Sequence, residues 1–485
     1  MTTLEERKLG DTIARELYRD PAYLDDPILG EYVDDLWRAL LAAARARGEL
    51  PAELQERYAW EVLLGRDGSI NAFALPGGYF GLNTGLVGIV TSRDELASVL
   101  AHEMTHITQR HIPRMLGQQS RQTPLLIASM VLGALAASQN PQVGSAIMAG
   151  GQAALVQQQL NFSRDMEREA DRIGYGILTQ AGFAPQGFVS MFEKLQGATR
   201  INDKGDWPYL RSHPLTTQRI ADMQQRQQTL PRQAGAPPDL ETLMLAARAR
   251  VLGRPGVDVL RAWAGEPAQA GFDDLPLARR AGALYAAALA QAQLRDLPRA
   301  DALAAQLALA VAATPAAARQ AQLLQAELAL QANQPARALA LLPAAPLRPA
   351  SAIGMTAPLE ERSQAGRAAL LLRAPALVQT GRASEATAAL RAWLVTHPGD
   401  ASAWQALALA HHAQNQPLRA LRAEGEVPMA RMDYAGAVDR WRAAQDHSRR
   451  HPGDNAERIE ANIIDTRLRA AQQALKQQQL DEVRR

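Results

Sequence analysis

The stretch VLAHEMTHITQRH, residues 99–111, holds three of the nine histidines of this 485-residue chain, and its reading decides the fold. His102 and His106 are four residues apart, so on a helix they project from one face and can direct both imidazoles at one ion. Glu103 stands beside them, placed to take a proton from a water that the ion activates rather than to bind the ion itself. Ser92 can cap such a helix and Glu95, three residues later, completes a capping box. Leu96, Val99 and Leu100 would anchor its early turns in a core.

A catalytic zinc site needs a third protein ligand. The chain has no cysteine, so thiolate ligands, thiol nucleophiles and disulfides are all excluded and the search is confined to His, Asp and Glu. His111 lies five residues beyond His106, which on a continuing helix turns it away from the shared face and leaves it a surface or outer-sphere residue. A third histidine in the metzincin register is ruled out because Gln109 and Ile112 stand where that pattern needs glycine and histidine. A carboxylate is left. SRDMEREADRIG, residues 163–174, is the densest acidic helix downstream, with Asp165, Glu167, Glu169 and Asp171 as candidates. Glu167 and Asp171 share a face, so one could bind metal while the other receives a ligand histidine's free N–H; Glu169 would point elsewhere.

The remainder of the chain sets the frame. Apolar residues make up 47% and charged residues 21%, as in ordinary globular proteins, and 485 residues call for at least two domains. The net charge is only +2 and no dense Lys/Arg run stands out, so nucleic-acid binding is not expected. MTTLEERKLG at the start lacks the apolar core of a signal peptide, which points to a cytoplasmic protein or to one whose leader is already gone. Every residue from Gln122 to Ser163 is uncharged. Its apolar run at 124–138 is shorter than the roughly 20 residues of a membrane span, so a buried helical hairpin is expected, with a mobile apolar flap over the site or against a membrane surface as the alternative.

Composition changes near residue 235. Before it, residues 3–18 and 31–48 have helical spacing, and YAWEVLLGRD followed by INAFALPGGYFGLNTGLV reads as strands joined by glycine turns. After PRQAGAPPD at 231–239 the chain is rich in Ala, Leu, Arg and Gln. ANQPARAL at 332–339 nearly recurs as QNQPLRAL at 414–421, each an Asn-Gln-Pro turn opening a new helix. Ala386 precedes Ala420 by 34 residues and Ala302 precedes Ala338 by 36, close to the tetratricopeptide period. HPGD at 397–400 and again at 451–454 marks loops between repeats. The expected domains are therefore 1–235 and 236–485, the second an α-solenoid, with a plain helical bundle as the alternative.

HEMTH, then EREAD some sixty residues on, with NAFALPGGYFGLNTGL upstream, resembles the zinc metallopeptidases typified by the CAAX-processing Ste-type protease, HtpX and Oma. With the C-terminal repeats, the likeness is greatest to the periplasmic β-barrel assembly-enhancing branch. The motifs cover about residues 1–230. The resemblance implies an α+β zincin fold of the gluzincin type, mostly helical with a small sheet, followed by an all-α tetratricopeptide-like solenoid. It implies one Zn2+ held by His102, His106 and Glu167, with Glu103 as base and Asp171 behind the ligands. Phe73, Ala74, Leu75, Pro76, Gly77 and Gly78 match a strand that would hold extended substrate by backbone pairing. His213, in SHPLTTQRI, would fill zinc's fourth position in a closed state or stabilise the oxyanion together with Arg219. No membrane spans are present, unlike the prenyl-protease branch, although peripheral membrane contact is compatible with the uncharged segment.

The implied function is an endopeptidase acting on misassembled polypeptides, chiefly outer-membrane β-barrel proteins, in the periplasm of a Gram-negative cell, with the repeats contacting the barrel-assembly machinery. A repeat-based chaperone or scaffold with a dormant or structural metal site is the competing class. His397, His411, His412, His447 and His451, all in the repeats, are assigned no chemistry.

Overall fold

The computed structural model describes residues 1–117, 164–200, 208–228, 239–342, 366–451 and 454–483. The expected hairpin or flap of residues 122–163 lies outside them. Cα packing divides the chain into two units, Met1–Leu294 and Arg295–Arg485.

In the first unit, helix α1 (Thr3–Arg19) opens on a full capping box between Thr2 and Glu5. Helix α2 (Pro27–Ala46) begins with Asp26 as cap and Pro27 in its first turn, where the missing N–H costs nothing. Its buried residues Ile28, Leu29, Val33, Leu36, Trp37, Leu40 and Ala44 follow helical spacing and make one apolar face. The short helix α3 (Ala52–Arg57) leads into a three-stranded sheet of β1 (Glu61–Gly65), β2 (Ala72–Leu75) and β3 (Tyr79–Asn83). The order is β1-β3-β2, with β1 parallel and β2 antiparallel to β3, so β2 is an edge. Trp37 stacks on Phe80 at 5.5 Å and 12°, tying α2 to the central strand. The β2–β3 connection turns at Gly77 and Gly78, whose φ of 72° and 86° only glycine adopts cheaply.

After α4 (Thr84–Ile89) comes α5 (Arg93–Thr108), buried continuously from Glu95 to Thr108. A helix that is covered on every side needs no polar face, and α5 has none. Ser92 caps it by accepting from the Glu95 N–H at 3.3 Å, as expected. The second half of the expected box differs: the Glu95 carboxylate accepts from the Thr91 N–H at 2.6 Å and pairs with Lys194 at 2.5 Å. Helices α6 (His111–Gly117), α7 (Arg164–Gln180), α8 (Gln186–Arg200), α9 (Pro208–Ser212) and α10 (Thr217–Gln228) follow, and α7 and α8 pack directly on α5. Gly174 of α7 sits where a Cβ would lie 3.0 Å from the Ala101 carbonyl, so the two backbones meet almost without side chain between them.

The packing boundary at Leu294 is later than the composition change near 235. Helix α11 (Leu240–Leu252) is Ala-rich like the repeats, yet it packs on α4 within the first unit. Arg248 makes a buried two-point contact with Asp26 at 2.6 and 2.8 Å and reaches Tyr285 Oη at 3.2 Å on α12 (Leu277–Gln293), while Tyr32 Oη and Thr242 Oγ1 lie 2.5 Å apart. Composition reports what a helix is made of, and a few buried polar contacts decide where it docks.

The second unit is helical throughout its described residues, with successive helices at 297–311, 315–331, 335–341, 367–379, 383–396, 401–413, 417–430, 434–450 and 455–483. One turn recurs. Arg295, Asn333, Gly381, Asn415 and Met432 all have left-handed φ, each immediately before a helix N-cap. In the last four the N-cap N–H reaches back five residues to a carbonyl, the 6→1 bond of a Schellman turn. The fourth residue after each cap is a buried alanine: Ala300, Ala338, Ala386, Ala420 and Ala437. Ala338, Ala386 and Ala420 thus occupy the positions expected of them. Ala302 does not, since it is exposed and Ala300 takes its place, making that step 38 residues rather than 36. At 397–400 the expected loop is present and Asp400 caps the next helix, held by Arg367 at 2.8 Å. His411 and His412 contact Gln416 and Glu424.

Asp26→Ala strands a buried guanidinium and should destabilise the first unit by about 3–5 kcal/mol in urea unfolding. Arg367→Ala should leave that transition in place; equal effects from both variants would contradict the assignment of α11 to the first unit.

Candidate metal centre

His102 and His106 project from the same face of α5, with ring centroids 4.8 Å apart and Nε2 atoms 3.1 Å apart. Glu167 and Asp171 project from α7 one turn apart, and Gly174, three residues further on the same stripe, allows α7 close enough to bring them in. Glu167 Oε2 lies 3.4 Å from His102 Nε2 and Oε1 lies 3.4 Å from His106 Nε2. His213 closes the figure: its Nδ1 is 3.4 Å from His102 Nε2 and 2.9 Å from Glu167 Oε1.

His102, His106, Glu167 and His213 are all buried, and each offers one ligand atom within 4.8 Å of every other. Two N or O atoms bound to one tetrahedral zinc at ordinary bond lengths stand roughly 3.3 Å apart. The spacings of 2.9–3.4 Å just given match that figure. The residues therefore fit a single zinc ion, three nitrogens and one carboxylate, with no water-facing vertex left by the protein groups.

Around them lies a polar shell. Asp171 Oδ1 is 3.0 Å from His102 Nδ1, behind the ring edge that faces the cluster. Arg219 donates from Nε and Nη2 to Asp171 at 2.7 and 2.8 Å, and its Nη1 reaches Glu167 at 2.8 Å and the Pro214 carbonyl at 2.9 Å. The guanidinium lies over the Phe192 ring at 5.3 Å. This differs from the expected pairing of Arg219 with an oxyanion, because its donors are taken by the two carboxylates and by the loop that carries His213. Glu103, fully buried, accepts from the Ala74 N–H at 3.0 Å and meets His213 Nε2 at 3.2 Å. Burial raises its carboxyl above the usual range.

Of the expected substrate strand, Phe73, Ala74 and Leu75 form the β2 edge beside α5. Pro76, Gly77 and Gly78 instead make a buried turn packed against Arg7 and Tyr58, which removes them from any open edge. Of the two places expected for His111, it takes the outer-sphere one: it is fully buried, with Nδ1 2.9 Å from His106 Nδ1. The helix stops at Thr108 and Arg110 takes φ 52°, so helical spacing no longer governs where residue 111 points. Glu6 secures that turn through Arg110 at 3.0 Å. Sequence reasoning also missed Tyr209, which stacks on His213 at 4.7 Å and accepts its backbone N–H at 2.9 Å; an aromatic one turn before a histidine is its only trace in the chain.

Comparison with known proteins follows the same lines. Residues 35–227, which include the segment that holds the cluster, match the family model of Peptidase family M48, whose members are zinc-dependent metallopeptidases. The chain is 36% identical over 259 residues to a putative beta-barrel assembly-enhancing protease of Vibrio cholerae, covering 53% of this chain and 51% of that one. It is 33% identical over 222 residues to the beta-barrel assembly-enhancing protease of Escherichia coli, covering 46% and 44%. The mitochondrial metalloendopeptidase OMA1 of Saccharomyces cerevisiae is 29% identical over 197 residues, covering 39% and 54%. The chain thus spans about half the length of the curated relatives it matches.

Protonation of the metal-free cluster is asymmetric. Burial holds His106 well below its ordinary value and so neutral. Burial also opposes charge on His102, but hydrogen bonds to Asp171 and Glu167 outweigh it and lift the imidazolium to about 10. Glu167 is kept ionised against burial by His213 and His102. Zinc binding at His102 must then displace the proton that this ring carries. Calorimetry in two buffers of different ionisation enthalpy should find about one proton released per zinc at neutral pH, with apparent affinity falling about tenfold per unit of acidification. Zinc uptake without proton release would show that His102 is already neutral.

Proposed function

We propose that this M48 domain works as a zinc-dependent endopeptidase, with His102, His106 and Glu167 as ligands and Glu103 as general base. The observation that carries the reading is the buried convergence of two imidazoles from α5 and one carboxylate from α7, with a second carboxylate standing beside them unbound to the ligand set. When bound, zinc supplies the Lewis acidity that lowers the pKa of water towards about 7 and polarises a peptide carbonyl. Glu103 takes the proton of the attacking water and later delivers it to the departing amine. The β2 edge at Phe73, Ala74 and Leu75 aligns an extended chain beside that carboxylate. Asp171 holds His102 in the tautomer that leaves Nε2 for the metal. Arg219 keeps Asp171 ionised and holds both carboxylates in place.

We read the conformation as a closed state of this enzyme, in which His213 stands at the position a substrate carbonyl or water needs. Its Nδ1 lies among the ligand atoms and its Nε2 faces Glu103, which supports obstruction rather than assistance. A second reading draws on the same fact: four protein ligands and no open vertex is the pattern of a structural zinc. In that case the helical second unit, as a tetratricopeptide-like scaffold or chaperone, would do the work. The recurring turns and buried alanines support the repeat reading, and stacked helical repeats commonly bind polypeptides.

The relatives named for β-barrel assembly suggest the substrates: polypeptides that fail in assembly, outer-membrane β-barrel proteins above all, met in the periplasm with the assembly machinery as partner. Among the described residues no helix is long and apolar enough to cross a membrane. Contact with a membrane surface would fall to residues 122–163.

Glu103→Gln should retain one zinc per chain and the wild-type fold while losing roughly 10²–10⁴-fold in casein cleavage. His213→Ala should cleave faster than wild type. Zinc bound in both proteins with no cleavage by any variant would leave the scaffold reading standing, and slower cleavage by His213→Ala would mean that this side chain serves the reaction.

A further inference from the structure

The two ligand histidines are backed differently. His102 Nδ1 lies 3.0 Å from Asp171 Oδ1, and Arg219 clamps that carboxylate from two nitrogens. His106 is backed by another imidazole. Its Nδ1 lies 2.9 Å from Nδ1 of His111, whose Nε2 lies 3.1 Å from Glu169 Oε2, and the same oxygen accepts from Arg114 Nη1 at 2.8 Å. The rings of His106 and His111 meet edge to face, 4.8 Å between centroids and 80° between planes.

We propose that His111, Glu169 and Arg114 form a positioning arm that fixes the tautomer and ring orientation of His106 for metal binding. This rests on the reading of the cluster as a zinc centre. A neutral His106 that binds through Nε2 carries its proton on Nδ1. Two Nδ1 atoms in hydrogen-bond contact need one donor and one acceptor, so His111 accepts there and bears its own proton on Nε2. That N–H points at Glu169, a carboxylate with only acceptors to offer, and Arg114 supplies the balancing charge. Each member's protonation dictates the next, and every step of the chain runs towards Glu169. The design repeats the arm behind His102 with one imidazole inserted, which lengthens its reach. It begins at a fully buried ring and ends at a carboxylate side chain that is 27% exposed.

The arm depends on the break in α5. Had the helix continued past Thr108, residue 111 would face away; the left-handed Arg110, pinned by Glu6, swings the His111 ring back beneath His106. The acidic helix α7 then serves both ligands from one turn, Asp171 towards His102 and Glu169 towards His111.

Zinc affinity, measured by competition with a chromogenic chelator on the full chain, tests the arm, with the melting temperature of the metal-free protein recorded in parallel. His111→Ala and Glu169→Leu should each weaken zinc binding by about 10–100-fold. Glu169→Gln, whose amide oxygen can still accept from His111, should recover most of the loss. In zinc-loaded protein carrying ¹⁵N-histidine, the His106 Nδ1 proton should be protected from exchange, and that protection should vanish in His111→Ala. A wild-type chain that takes up no zinc would sink the metal-centre reading itself. Tight binding by wild type with equal affinity in His111→Ala and Glu169→Leu, or a fall in metal-free melting temperature alone, would overturn the arm and leave that reading intact. Should His111→Ala not fold, the pair of variants at the partly exposed Glu169 decides the question.

Discussion

Ionisable groups packed into a dry interior are the constraint on which this structure turns. Three imidazoles, three carboxylates and a guanidinium share one small volume between α5, α7 and the loop after α9, all of them buried. Such groups are costly to desolvate unless each finds a partner, and breaking one pair leaves another charge stranded. Arg219 answers part of that cost by bonding two carboxylates and a carbonyl together. A divalent ion among the four inward-facing ligand atoms would answer much of the rest, which makes metal content part of the folding balance of the first unit as well as of its chemistry.

Much of the centre could be read along the chain because one helix carries it. Spacing of four is enough to place His102, Glu103 and His106, and spacing of four again pairs Glu167 with Asp171. Which of those two carboxylates would meet a metal did not follow from spacing alone, since both share a face; resemblance pointed to Glu167, the one that α7 sets among the three buried histidines. His111 was left between the surface and the outer sphere for a definite reason: helical periodicity turns it away, and nothing local in QRHI announces a left-handed arginine, held by a glutamate a hundred residues earlier, that brings it back behind His106. Arg219 was assigned to an oxyanion through the resemblance of SHPLTTQRI, whereas Asp171, Glu167 and the Pro214 carbonyl occupy its donors. The strand motif was half legible, with Phe73 to Leu75 at the edge and Pro76 to Gly78 folded underneath.

Domain limits illustrate the same division between local and distant information. The turn at 231–239 and the alanine content beyond it are properties of the chain, and they mark where repeat-like helices begin. Whether a helix joins one body or another depends on a handful of contacts such as Arg248 with Asp26, which lie more than two hundred positions apart. The recurring turns of the second unit, by contrast, are local. A left-handed residue, a cap and an alanine four positions on suffice to repeat a hairpin, and substitutions of Arg, Asn, Gly and Met at the first of these positions show that geometry, not residue type, is what recurs.

The crossing of α5 and α7 at Gly174 has one more implication. Metal–ligand bonds tolerate displacements of only about 0.2 Å. A methyl group at residue 174 would demand a comparable retreat of the Ala101–His102 backbone, carrying the imidazole with it. Coordination distance in this protein is thus calibrated from behind the ligands, by a hydrogen atom that touches no metal and takes no part in any reaction.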